Sequence, residues 1–177
     1  NRLITNGFPP IRVSVNLSTV QFRRDDFVQN VAYLIRKHGV DPKYVELEIT
    51  ESMLAKNFAD TIDKLHQLKE LGIKIAVDDF GKGYSSLHRL VLVPLDRIKI
   101  DKSIIDDITS EAKKADIVKI IISLGKTLMV EITAEGVETM DQADFMKDIS
   151  CDEIQGYYYS RPLKTGPLED FLKTNGV

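Results

Sequence analysis

The sequence predicts an α/β fold of parallel βα units closed toward a TIM-like (β/α) barrel. Three observations predict it. Short runs rich in Val and Ile alternate with apolar stripes at helical spacing along the whole chain, single Gly and Pro residues separate them, and the polar residues of successive runs gather near one end of each run. Strand and helix alternating in this way give parallel strands joined by right-handed crossovers.

The elements follow in order. Ile11 to Leu17 is the first strand. Phe27, Val31, Leu34 and Ile35 then share a helix face that Gly39 ends. Tyr44 to Thr50 is the second strand, followed by the stripe Ile62, Leu65 and Leu68 before Gly72. Ile73 to Asp79 is the third, a short helix lies around Ser85 to Leu90, and Arg97 to Asp101 is the fourth. Ile117, Ile121, Leu124 and Leu128 form the next stripe, Met129 to Glu135 the fifth strand, Met140 to Lys147 a helix, and Glu153 to Ser160 the sixth strand.

Side chains two apart in a strand share a side, so two faces separate. Val13, Val15, Val45, Leu47, Ile49, Ile73, Ile75, Val77, Ile98, Ile100, Val130, Ile132 and Ala134 belong under the helices. The opposite face ends in Asn16, Glu48, Asp78, Lys99 and Glu135, near the C-terminal ends of their strands, where barrels and doubly wound sheets alike collect functional groups. The barrel is favoured over the open sheet because consecutive strands all contribute and no Gly-rich dinucleotide turn follows the first.

Composition bounds the function. With 177 residues, 24 Lys and Arg against 27 Asp and Glu, and 43% hydrophobic residues, the chain reads as one domain with a core of its own. A net charge of −3 argues against a nucleic-acid polymer as partner. The single Cys151 forms no internal bridge and reads as an inert core residue, which fits a reducing cytoplasm. The longest purely aliphatic run, Leu90 to Val93, is far short of the ~20 residues of a membrane span. This segment is therefore not expected to insert in a membrane, although a larger protein carrying it can be tethered to one.

Asp78 and Asp79 before Phe80-Gly81-Lys82-Gly83 read either as a capped turn or as paired ligands. Crowded carboxylates with Asn16 and Glu48 favour a hard-metal site, because carboxylates repel unless protonated or neutralised, and oxygen donors suit Mg²⁺ or Mn²⁺. Lys99 either neutralises this cluster or takes part in chemistry, with Asp101 on the same face as its expected partner. Glu51 is a helix-start carboxylate or a ligand to the loop after Asp79. His38, His66 and His88 show no metal-ligand spacing. Tyr157 to Tyr159 read as barrel packing rather than as a platform for a base.

The runs Val13-Ser14-Val15-Asn16-Leu17-Ser18, Glu46-Leu47-Glu48-Ile49-Thr50-Glu51-Ser52, Asp78-Asp79-Phe80-Gly81, Lys99-Ile100-Asp101, Ala134-Glu135-Gly136-Val137-Glu138-Thr139 and Gln155-Gly156-Tyr157 together resemble the EAL domain of bacterial cyclic di-GMP phosphodiesterases. The resemblance implies a TIM-like barrel that hydrolyses cyclic di-GMP to linear pGpG with two Mg²⁺ or Mn²⁺ ions. It assigns Asn16, Glu48 and Asp78 to the first metal, Asp78 and Asp79 to the second, and Glu135 to its support. Lys99 would orient the attacking water and Glu51 anchor the loop from Asp79 to Tyr84, which in the family couples a homodimer to metal occupancy. Gln155, Glu138 and Asp101 are expected near the substrate.

The Glu-Ala-Leu signature is absent, and six strands are counted where a barrel has eight. Residues 1–177 are thus expected to be an EAL-type domain lacking about two N-terminal strands, from a parent with an upstream sensory or GGDEF domain. Lys82 stands where the family usually has Thr. The alternatives are a non-hydrolysing relative that binds cyclic di-GMP or a protein partner, and a proton-abstracting barrel enzyme of the enolase type.

Overall fold

The structure, a computed structural model, describes residues 2–55, 57–82 and 87–175. Its centre is one sheet of six parallel strands in the order of the sequence: β1 (Val13–Asn16), β2 (Val45–Thr50), β3 (Lys74–Phe80), β4 (Arg97–Ile100), β5 (Glu131–Glu135) and β6 (Glu153–Gln155). Parallel neighbours in sequence order give the half-barrel that the alternation predicts. Its helices are α1 (Arg2–Thr5), α2 (Thr19–Phe22), α3 (Phe27–His38), α4 (Glu51–Ala55), α5 (Phe58–Glu70), α6 (Leu87–Leu92), α7 (Lys102–Ile105), α8 (Ala112–Leu128), α9 (Met140–Asp148) and α10 (Thr165–Thr174).

Local chemistry sets the helix ends. Gly39, at φ 59°, stops α3 and lets Val40 N–H reach the Ile35 carbonyl. Thr139 and Gln142 form a reciprocal capping box that starts α9. The start of the short helix read around Ser85 lies outside the described residues, which resume with α6.

The helix-side face of the sheet is the core. Ile49, Ile73, Ile75, Val77, Ile98, Ile100 and Ala134 are fully buried, and Ile132 nearly so. Val13 and Val15 depart from the expectation at 58% and 47% exposure, because β1 is the sheet edge. Val15, Leu17, Val31, Leu34, Val45 and Leu47 line an apolar groove of about 400 Å³ there. The α8 stripe is also rotated from the reading: Val118, Ile121, Ile122 and Gly125 are buried while Ile117 is exposed. Gly125 explains the close approach of α8 to β5, since a Cβ there would lie 2.4 Å from the Ile132 side chain.

The sixth strand is shorter than expected. It ends at Gln155, and Tyr157 to Tyr159 form a turn whose rings are roughly half exposed, not barrel packing. Tyr158 N–H bonds the Val137 carbonyl and Tyr159 N–H the Gly156 carbonyl, which diverts the chain from the sheet. A Cβ on Gly156 would fall 1.9 Å from the Val137 carbonyl oxygen, so only glycine fits this crossing.

Before β4, Asp96 ties two strands together. Its carboxylate accepts from Lys69 at 2.6 Å, from Lys74 at 2.8 Å and from the Ile75 N–H at 2.9 Å. Partial burial works against the charge, but the two lysines and the N–H outweigh it and hold Asp96 below the usual carboxylate range. Asp96→Asn is expected to destabilise the fold by about 1–3 kcal/mol near neutral pH. Because the folded-state value is depressed, that contribution is complete above the unfolded value of 3.8 and is lost as pH falls through the folded one. Urea unfolding of both proteins should therefore show a gap that narrows below about pH 4. A pH-independent gap would contradict the assignment.

Candidate active site

Alternation along each strand sends every second side chain into the concave face of the half-barrel, and these stack in two polar layers. The deeper layer is set by Ser14, Glu46, Arg97, Thr133 and Glu153. The buried Arg97 guanidinium pairs with Glu46 at 3.2 Å and Glu131 at 2.6 Å, bonds Thr133 Oγ1 at 2.9 Å and grips Glu153. Ser14 Oγ donates to Glu46 at 2.7 Å. One cation thus links β2, β4, β5 and β6, and its charge is balanced on several sides, as a buried ion requires.

The upper layer lies two residues further along each strand: Asn16, Glu48, Lys99, Glu135 and Gln155, joined by Asp78 of β3. Lys99, only 8% exposed at its side chain, places Nζ 2.6 Å from Glu48, 2.7 Å from Glu135 and 3.5 Å from Asp78. The Asn16 amide, oriented to satisfy its hydrogen bonds, donates to Glu48 at 3.1 Å and Asp78 at 3.3 Å. Burial disfavours the Lys99 ammonium, but Glu135 and Glu48 overcompensate and hold its pKa above that of an ordinary lysine. Burial raises the Glu135 pKa, with the negative charges of Asp78 and Glu48 adding to it and Lys99 opposing. All of these residues line one open trough of about 1020 Å³.

Asp78 and Asp79 sit at an irregularity of β3. Pairing with β4 slips between Val77 and Phe80, and Asp79 adopts φ 56°. Such a bulge re-aims side chains. Asp78 stays with the Lys99 cluster and accepts the Asp79 N–H at 2.9 Å, whereas the Asp79 carboxylate turns to Lys82 at 2.7 Å. The turn is closed by Lys82 N–H to the Asp79 carbonyl, while Asp78 faces the polar cluster at the rim. Gly81, at φ 101°, leaves no room for a Cβ against Ile104.

The remaining sequence-predicted residues separate. Glu51, buried at the start of α4, accepts the Gly81 N–H at 3.4 Å. Gln155 borders the trough and, with Glu135, Glu138, Lys102 and Tyr157, an adjoining cleft of about 340 Å³. Glu138 itself pairs with Lys102 away from Lys99. Asp101 is not the partner of Lys99. It lies just past β4, caps α7 through Ser103 N–H at 2.9 Å, and pairs with Lys82 at 2.8 Å. Burial raises the Asp101 pKa, but Lys82 and Ser103 bring it down to about 2. His38, His66 and His88 are exposed, and burial pushes the Cys151 thiol up to about 11, consistent with an inert residue.

The donors at the rim are carboxylate and amide oxygens, a set that suits a hard divalent cation. Among the described residues no three Asp, Glu, His or Cys side chains are gathered as a ligand set, since the carboxylates converge on the Lys99 ammonium. The residues fit such an ion by chemistry. Seating one requires Asn16 to turn its amide oxygen inward and the carboxylates to share their charge between metal and ammonium.

A family model of the EAL domain matches residues 2–162, so the chain belongs to the EAL domain family. Cyclic di-GMP phosphodiesterase NbdA of Pseudomonas aeruginosa is 40% identical over 167 residues, which cover 94% of this chain and 21% of that protein. The PaMucR phosphodiesterase, solved in complex with c-di-GMP, is 36% identical with a TM-score of 0.89 over 94% of this chain and 68% of that one. BlrP1 of Klebsiella pneumoniae, solved with manganese and cyclic di-GMP, is 30% identical with a TM-score of 0.79 over 85% of this chain and 39% of that one. The chain spans about a fifth of the length of the curated relatives it matches. No helix among the described residues is long and apolar enough to cross a membrane.

Proposed function

We propose that the protein carrying this chain hydrolyses cyclic di-GMP to linear pGpG with Mg²⁺ or Mn²⁺. The observation that carries the reading is the convergence of Glu48, Asp78, Glu135 and Asn16 on a buried, charged Lys99 at the C-terminal rim. The relatives named as phosphodiesterases and the neighbours solved with cyclic di-GMP support it.

Asn16, Glu48 and Asp78 would hold one ion, Asp78 and Asp79 a second, with Glu135 in support. When bound, such ions supply Lewis acidity at the phosphoryl oxygens and lower the pKa of a coordinated water. Lys99, which the carboxylates of Glu135 and Glu48 keep protonated against its burial, donates hydrogen bonds to the attacking water or to the phosphoryl oxygen that gains charge. Water adds to phosphorus, the bond from phosphorus to the 3′ oxygen breaks, and that oxygen leaves with a proton. Glu51 holds the loop at Gly81, and Gln155 lies on the wall beside Glu135 where a nucleotide would rest. Residues 1–177 are read as an EAL-type domain completed by two further strands, in a cytoplasmic, homodimeric protein with a sensory or GGDEF domain.

The test is incubation of that protein with cyclic di-GMP and Mg²⁺ or Mn²⁺, followed by nucleotide chromatography. The expected product is pGpG. Saturable binding without product would instead support a receptor that reads cyclic di-GMP and does not cleave it.

A further inference from the structure

Lys82 is a basic side chain beside the carboxylates of the rim. Its ammonium bridges two carboxylates, Asp79 at 2.7 Å and Asp101 at 2.8 Å. The two partners differ. Asp101 is 8% exposed at its side chain and fixed by its cap on α7, whereas Asp79 is 42% exposed at the bulge of β3. Asp79 N–H is bonded to Asp78, so the backbone that carries the Asp79 carboxylate is tied to the Lys99 cluster. An ammonium and a divalent cation compete for the same carboxylate lone pairs, and the Lys82 side chain is half exposed.

We propose that Lys82 is a built-in counter-cation that a divalent ion must displace from Asp79, so that it sets the metal concentration at which the second position fills. The inference rests on the two-metal reading above. Asp101 keeps the ammonium close after displacement, so the exchange is reversible and needs no unfolding of the loop. A half-exposed ion pair corresponds to a factor of roughly 2–5 in an equilibrium constant, and loss of a nearby positive charge adds to it. Lys82→Met should therefore tighten the weaker Mn²⁺ step by roughly 3- to 10-fold, while Lys82→Arg should bind as the wild type does.

The experiment is calorimetric Mn²⁺ titration of the protein carrying this chain, without nucleotide, as wild type, Lys82→Met, Lys82→Arg and Asp78→Asn. Tighter binding in Lys82→Met alone supports the inference. Equal or weaker binding in Lys82→Met, with Mn²⁺ lost in Asp78→Asn, overturns it and leaves the metal reading standing. No saturable Mn²⁺ binding by the wild type, or binding that Asp78→Asn leaves intact, overturns the metal reading and this inference with it.

Discussion

Replacing Lys99 by methionine is expected to lower turnover of cyclic di-GMP by at least about a thousandfold, some 4 kcal/mol in the barrier, the scale of losing a preorganised charge at a reacting phosphoryl group. It should also destabilise the fold by about 3–5 kcal/mol, because Glu48, Glu135 and Asp78 are left facing one another at the rim without their shared cation. The sign of the pH dependence follows. Carboxylates crowded without a counter-charge have raised pKa values and take up protons in the folded state, so the deficit should be largest near neutral pH and shrink as the solution is acidified. Mn²⁺ should restore part of the stability without restoring turnover. Urea unfolding at several pH values, with and without Mn²⁺, checks the first part, and the nucleotide assay the second. A variant as stable and as active as the wild type would show that the lysine is a bystander.

Asp78→Asn should separate site from scaffold in the opposite sense. The amide keeps the shape and can still accept the Asp79 N–H, so the bulge of β3 should survive. One negative charge leaves the cluster around Lys99. In the presence of a chelator the variant should then melt at or above the wild-type temperature, while turnover falls by at least about a hundredfold for the loss of a charged ligand. The wild type should gain stability from Mg²⁺ and the variant little. Unchanged turnover, with melting insensitive to metal in both proteins, would remove Asp78 from the chemistry.

Much of this architecture is legible in the sequence because period-2 alternation acts on every strand. The same rule that buries Ile75 and Val77 turns Asp78 toward the rim, and the strand ends bring Asn16, Glu48, Lys99 and Glu135 to one place. The deeper layer was equally readable: Ser14, Glu46, Arg97, Thr133 and Glu153 each stand two residues before a rim residue, yet a charged residue in mid-strand invites the assumption that it faces solvent. What alternation misses is set by geometry outside the strands. Val13 and Val15 stay about half exposed because their strand is at the edge of the sheet. Asp101 keeps the parity of Lys99 but lies beyond the last paired residue of its strand, so a helix cap and Lys82 claim it. Tyr157 to Tyr159 leave the sheet because Gly156 crosses the backbone of Val137, a contact that no local pattern announces.

The most direct test of the central claim, that the carboxylates around Lys99 form a divalent-metal hydrolytic site, is turnover of cyclic di-GMP by the protein carrying this chain, measured before chelation, after it and after Mn²⁺ is returned. The expected result is pGpG formation that stops with the chelator and recovers with Mn²⁺ in the wild type, but does not recover in Asp78→Asn. Hydrolysis that persists through chelation, or that returns equally in the variant, would contradict it.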